Sequence, residues 1–246
     1  MKKTLLMLML VMGSALMVFS QTDYKMWETI YLVPKKGHEA DLKKGLADHN
    51  KKYHNSGPYT AHVWSVISGK HEGQYLWAMG PCTFTDLDSA PVGGDDHDTD
   101  WEKNVAAYCE DIHEIKYWRL NEKVSYSPEQ APGGKVLWST FDIKGYEMYR
   151  FNEMMEKVKE VYDTKKYSHG FSVYTSQFDS GDGEDVVLEW QFSNWSWFDR
   201  DQKFKEDYEE VHGEGSWWKF IEEWREVAEK SFDELAVYME DLSGAE

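Results

Sequence analysis

The sequence predicts an α+β fold: two tandem β-α-β-β-α-β units joined by a short linker and packed sheet against sheet. Three observations predict it. The same order of segments occurs twice, with Trp27-Glu28-Thr29 answered by Trp138-Ser139-Thr140 111 residues on. The strand-like segments carry apolar residues on both faces, so both faces must be covered. The helix-like segments carry one-sided apolar stripes, as half-buried helices do.

Residues 1–20 stand apart from this plan. Lys2 and Lys3 precede an apolar run from Leu5 to Phe19, and Val18 and Ser20 occupy the −3 and −1 positions of a cut before Gln21. That is the pattern of a secretory signal peptide. The run is shorter than the roughly 20 apolar residues a membrane span needs. The expected location is secreted or periplasmic, with no membrane contact once the leader is removed.

The first unit, residues 21–120, opens with an apolar strand from Trp27 to Val33. A polar helix follows from His38 to His54, then a strand from Tyr59 to Val66, a turn over Gly69–Gly73 and a return strand from Tyr75 to Met79. Two β-rich runs around a glycine turn read as a hairpin. Trp101, Val105, Tyr108 and Ile112 are spaced as one helical stripe, and Glu114–Leu120 reads as the last strand. The linker, 121–134, is rich in breakers: Pro128, Pro132 and Gly133-Gly134.

The second unit, 135–246, repeats the order. Its strand from Trp138 to Ile143 leads to a helix from Glu147 to Tyr167, then strands Phe171–Ser176 and Val186–Phe192 around a turn at Ser180–Gly183. An added charged helix is expected over Asp199–Val211. Trp217, Ile221, Trp224 and Ala228 repeat the stripe of the first unit, and Leu235–Met239 closes the unit. Each half is therefore a split βαβ, or ferredoxin-like, unit.

The chain of 246 residues is 41% hydrophobic and 29% charged, enough to bury a core and too apolar for wholesale disorder. Its net charge of −18 repels phosphate backbones, which excludes nucleic acid as an expected partner. Aromatic residues reach 15%, with 12 Trp, enough to line a site for a flat ligand as well as to thicken a core. The two cysteines, Cys82 and Cys109, fall in one half. An oxidising compartment would permit them to pair, and two buried thiols are the other reading. No nucleophile elbow, zinc-protease helix, phosphate loop or dinucleotide fingerprint is present.

Candidate site residues come from strand faces. His62 and Trp64 share one face of their strand, Tyr75 and Trp77 share a face of theirs, and Trp27 and Tyr31 point together in the first strand. Trp27, Tyr31, His62, Trp64 and Trp77 are expected to line one cavity in the first half, with Trp138, Tyr174 and Trp190 filling the equivalent space in the second. His62 is the candidate catalytic residue, and His113 is a further ligand-binding candidate. Glu189 lies among Val187, Leu188 and Trp190. A His and a carboxylate in an aromatic pocket can transfer protons, because burial moves both pKa values towards neutrality.

Seven of the nine His lie in the first half, which favours that half as the working one. His49 and His54 are five apart, a poor helical spacing for one metal, and no metal site is expected. His38 and His71 are expected to be solvated near turns. Gly93–Asp100 is expected to be a solvated acidic loop, with a divalent cation as the alternative.

In element order and duplication the chain resembles the dimeric α/β-barrel superfamily in its tandem single-chain form. The resemblance covers nearly all of the chain after the leader. It implies a small-molecule site in an aromatic barrel pocket, and as possible activities a cofactor-free oxygenase or isomerase. The alternative it leaves open is a non-catalytic haem-binding protein, with His62 or His113 as axial ligand. Exposed Trp rings leave carbohydrate binding open as well. Neither a cofactor nor an oligomeric state is specified by these residues.

Overall fold

The computed structural model describes residues 24–91, 94–128, 134–179, 181–200 and 203–244. The leader lies outside the described residues. The first half runs β1 (Met26–Pro34), α1 (Glu39–Tyr53), β2 (Ala61–Ser68), β3 (Tyr75–Cys82), α2 (Phe84–Leu87), α3 (Asp95–Asn104), β4 (Cys109–Ile112) and β5 (Lys116–Leu120). The second runs β6 (Lys135–Ile143), α4 (Met148–Lys165), β7 (Ser172–Ser176), β8 (Val186–Phe192), α5 (Phe204–His212), α6 (Ser216–Val227) and β9 (Ala228–Tyr238). Among the described residues no helix is long and apolar enough to cross a membrane.

Every strand pairing is antiparallel. The order β2-β3-β1-β5 in the first half is matched by β7-β8-β6-β9 in the second. The expected face-to-face packing of two separate sheets is not what forms. The sheets join at their edges, β2 to β9 (Trp64↔Tyr238) and β5 to β7 (Trp118↔Ser176), and close into one barrel. The right-handed twist of each sheet carries its edges round, and closure satisfies edge groups that would otherwise stay unpaired. β4 continues the line of β5 along β1 (Leu32↔Ile112, Thr29↔Lys116), so the barrel has eight strand positions.

Closure creates an inside and an outside. Outside the first half, α1 lays Leu42 and Leu46 on Ile30, Leu32, Val63 and Trp77. Acidic Glu39 and Asp41 in its first turn and Lys51 and Lys52 in its last suit the helix dipole. Outside the second half, Phe151, Met154 and Met155 of α4 and Val227 at the end of α6 pack on Val173 and Leu188. Inside, Val66, Leu76, Val136, Trp138 and Ala236 form a third cluster.

Two expectations change, and the reading left open for the cysteines is decided. The stripe from Trp101 to Ile112 is not one helix: α3 ends at Asn104, a 3-10 turn spans Ala106–Tyr108, and Ile112 lies on strand β4. The acidic segment up to Asp100 is not a loop, because α3 begins at Asp95 and places acids such as Asp96 in its favoured first turn. Cys82 and Cys109 are free, buried thiols. They pair with opposite ends of β1 (Met26↔Cys82, Pro34↔Cys109), so about eight residues of strand, roughly 26 Å, separate them.

Candidate functional site

The barrel encloses a cavity of about 270 Å³. A dry cavity of ~150 Å³ admits benzene, so this one suits one ring or two fused rings. Its walls come from both halves. Trp27 and Tyr31 of β1, Trp64 of β2, Trp118 of β5, Trp138 of β6 and Tyr174 of β7 all face it. The rings hold one another edge to face, Trp27 on Tyr174 at 5.5 Å and Trp64 on Trp138 at 6.0 Å between centroids. The polar lining is sparse: His62, Lys116, Glu184, Glu189, Gln191 and Glu234 carry most of it.

Four of the six residues singled out from the sequence meet here: Trp27, Tyr31, His62 and Trp64. Trp77 does not. Antiparallel pairing sets it opposite Ile30, on the helix-facing side, where its indole N–H donates to Asn50 Oδ1 at 2.9 Å. Leu76 and Ala78 are the cavity-facing residues of β3. His113 is half-buried beside the Tyr31 ring, at 6.1 Å, and is not part of the cavity lining. Nor does the cavity belong to the first half alone, since Trp138 and Tyr174 line the same space rather than filling a second one. Trp190 packs into the outer core of the second half.

His62 sits towards the β9 C-terminal end, with Nδ1 3.2 Å from the Tyr238 hydroxyl. Burial lowers its pKa against a weaker opposing hydrogen bond with the Gly80 backbone, which favours the neutral ring. Among the described residues no other imidazole lines the cavity, so a haem there would rest on His62.

Two carboxylates flank Trp138. Its register partners are Glu189 on β8 and Glu234 on β9, two inter-strand steps or roughly 10 Å apart along the wall. Their environments push them in opposite directions. Glu189 is raised by burial, against hydrogen bonds from Trp138 Nε1 (2.9 Å) and Gln191 Nε2 (3.1 Å). Burial also works to raise Glu234, but its partners outweigh it and hold it below the usual carboxylate range. Those partners are the His71 ring at 3.0 Å, the His71 backbone N–H at 2.7 Å and the Tyr31 hydroxyl at 3.0 Å.

His71, expected to be solvated, is therefore buried and stacks on Tyr31 with centroids 4.0 Å apart. Lys116 completes the polar side. Burial alone would lower its pKa, yet its ion pairs with Asp182 and with Glu184 (2.5 Å) raise it. Glu234 is hidden in the sequence because the apolar part of the last strand starts only at Leu235, whereas β9 itself starts at Ala228. The alternation Phe232, Glu234, Ala236 was the signal that could have found it.

No family model matches the chain, and no curated protein matches it. Solved structures do match. An anthrone oxidase-like protein superposes with a TM-score of 0.58 at 10% identity, over 89% of this chain and 92% of its own. A "putative monooxygenase" from Lactobacillus acidophilus gives 0.54 at 9% identity, over 88% and 94%. A "putative chlorite dismutase" gives 0.51 at 8% identity, over 88% and 96%. At such identities the likeness is one of fold. With its closed eight-stranded antiparallel barrel and its helices outside, this chain has the dimeric α/β-barrel fold, completed within a single polypeptide.

Proposed function

We propose that the barrel cavity binds a compact aromatic or largely apolar molecule bearing a hydroxyl or carbonyl group, and moves a proton on it without a cofactor, as an oxygenase or isomerase would. The observation that carries this reading is Glu189: a buried carboxyl, raised by burial, facing a cavity walled by aromatic rings. A proton-transfer group works best with its pKa near the operating pH. Glu234, with its charge already met by three donors, is a fixed support that orients Tyr31. His62, a neutral imidazole further along the cavity, is the second proton acceptor. The oxygenase-type names of two structural neighbours agree with this class.

Export is part of the proposal, on the strength of the basic and apolar pattern of residues 1–20. So is descent of the halves (21–120 and 135–246) from one duplicated ferredoxin-like unit, which the matched strand orders support.

The test uses the full chain, a panel of one- and two-ring phenols and aryl ketones, and quenching of Trp fluorescence. Deuterium uptake at the acidic C–H of a bound ketone reads proton transfer. Glu189→Gln is expected to keep binding within about threefold and to slow exchange by about 10²-fold or more. His62→Ala is expected to weaken both. If no ring compound quenches the fluorescence, the binding reading fails. If Glu189→Gln exchanges as fast as wild type, the chemistry fails and binding alone survives.

A further inference from the structure

Outside the barrel three imidazoles meet. His49 lies on α1, His54 caps its C-terminal end and His97 lies in the first turn of α3. All are buried, His49 at 0% and His54 at 1% exposure. One ring nitrogen from each lies within 4.8 Å of the other two. The five-residue spacing of His49 and His54 is no obstacle, because His54 has left the helix (φ −128°, ψ 42°) and its ring is free of helical geometry. Gly45 sets the approach of the helices: a Cβ there would stand 1.6 Å from the Asn104 carbonyl oxygen, so only glycine lets α3 close on α1.

The protons of the three rings can be counted. His54 Nδ1 lies 3.0 Å from the Tyr59 carbonyl oxygen, which can only accept, so that nitrogen carries the hydrogen. His97 Nδ1 lies 2.9 Å from the Asp98 carboxylate, and His49 Nδ1 lies 2.8 Å from that of Asp100. Carboxylates also accept, so these nitrogens are the donors. A neutral imidazole has one N–H, which leaves each Nε2 a bare lone pair.

Nε2 of His54 and Nε2 of His97 face each other at 3.1 Å, acceptor against acceptor. Nε2 of His49 is buried with no hydrogen-bond partner among the described residues. Three lone pairs converging out of reach of solvent call for a cation between them. The rings of Tyr53, Trp77 and Trp101 wall the place in.

We propose that His49, His54 and His97 bind one divalent transition-metal ion of the Zn²⁺ class through their Nε2 atoms, pinning α3 to α1. Each ligand has its other nitrogen on an oxygen acceptor, the arrangement that orients metal-binding imidazoles and raises their basicity. An all-nitrogen set favours Zn²⁺, Cu²⁺ or Ni²⁺ over Ca²⁺ and Mg²⁺, which take oxygen. Zn–N bonds of about 2.0–2.1 Å in a tetrahedron put the nitrogens about 3.3 Å apart. The His54–His97 pair already stands near that spacing at 3.1 Å, and the His49 nitrogen lies within 4.8 Å of both. Water or hydroxide takes the fourth position. The burial of all three ligands makes the role structural. It is independent of the barrel cavity and of any activity there.

The experiment strips the full chain with a chelator, dialyses it, and adds Zn²⁺ or Co²⁺ alone. The expected result is about one tightly held equivalent of Zn²⁺, with the intense visible bands of four-coordinate Co²⁺. Tm should rise by roughly 5–10 °C at a hundredfold excess over Kd. His97→Gln should abolish the bands and the shift. Should that variant not fold, Asp98→Asn is read instead, and affinity is expected to fall about 10–100-fold with the fold intact. Wild type that takes up no stoichiometric Zn²⁺, or Co²⁺ bands indifferent to both variants, overturns the proposal.

Discussion

The helix-facing layers of the two halves rest on matching strand orders and are filled with opposite chemistry. Along α1 the buried positions read Leu42, Gly45, Leu46, His49 and Asn50; along α4 they read Phe151, Met154, Met155, Val161 and Tyr162. The second half shows that apolar and aromatic side chains fill such a layer. The first half buries imidazoles and an amide in the same kind of place, at a desolvation cost that only hydrogen bonds offset. Asn50 is engaged at both ends of its amide: one N–H donates to the Leu242 carbonyl at 2.7 Å, and its oxygen accepts from Trp77. The difference teaches that polarity in the first half is not there to fill space.

The largest test of this contrast is Phe151→Ala. Phe151 is 0% exposed, so truncation should cost about 3–5 kcal/mol, read as a lower urea midpoint. The loss should be the same with and without chelator, because among the described residues this layer shows no cluster of metal-ligating side chains. A chelator-dependent loss would break the separation of the layers.

Trp77→Phe probes the other layer with little change of shape. It removes one donor and leaves Asn50 Oδ1 buried without it, which should cost about 1–3 kcal/mol. A neutral result would mean that the amide turns to another donor, and that the polar layer is looser than its packing implies.

The smallest effect comes from the barrel between the layers, and it depends on pH. Glu234 is held below its ordinary value of 4.5. A depressed carboxylate contributes stability that is present above the unfolded pKa and is lost as pH falls through the folded one. Wild type should therefore lose stability below about pH 4.5 more steeply than Glu234→Gln, which has already forfeited that share at pH 7. Parallel acid limbs for the two proteins would show that Glu234 is not the carboxylate that matters.

Much of the fold was legible because β1 and β2 alternate: Trp27, Tyr31, His62 and Trp64 could be assigned to one face from spacing alone. β3 could not be read this way. Residues 75–80 are all buried, so their side gives no signal until pairing with β1 puts Trp77 opposite Ile30. β9 hid its role by the reverse route, since Glu229, Lys230, Asp233 and Glu234 make its first turns of sequence look solvated. The imidazole cluster was out of reach for a different reason. It depends on a capping residue outside helical geometry and on a helix concealed in an acidic segment, and neither has a period to detect. Trp101 four residues after His97 was the one hint that α3 starts early.

The two seams that close the barrel have a consequence for how the chain folds. The β2–β9 seam brings together residues as distant as His62 and Tyr238, 176 positions apart. Each half has its own helix-backed core with mostly shorter closures, the first completed late by Leu242 from the end of the chain, so most of each half should organise first and the seams last. Until then β2, β5, β7 and β9 are open edges, competent to pair with a neighbouring chain. The cavity does not exist in that interval, because its walls are drawn from both halves. A molecule that fits it binds only the closed barrel, so it holds the seams shut and lowers how often those edges reopen.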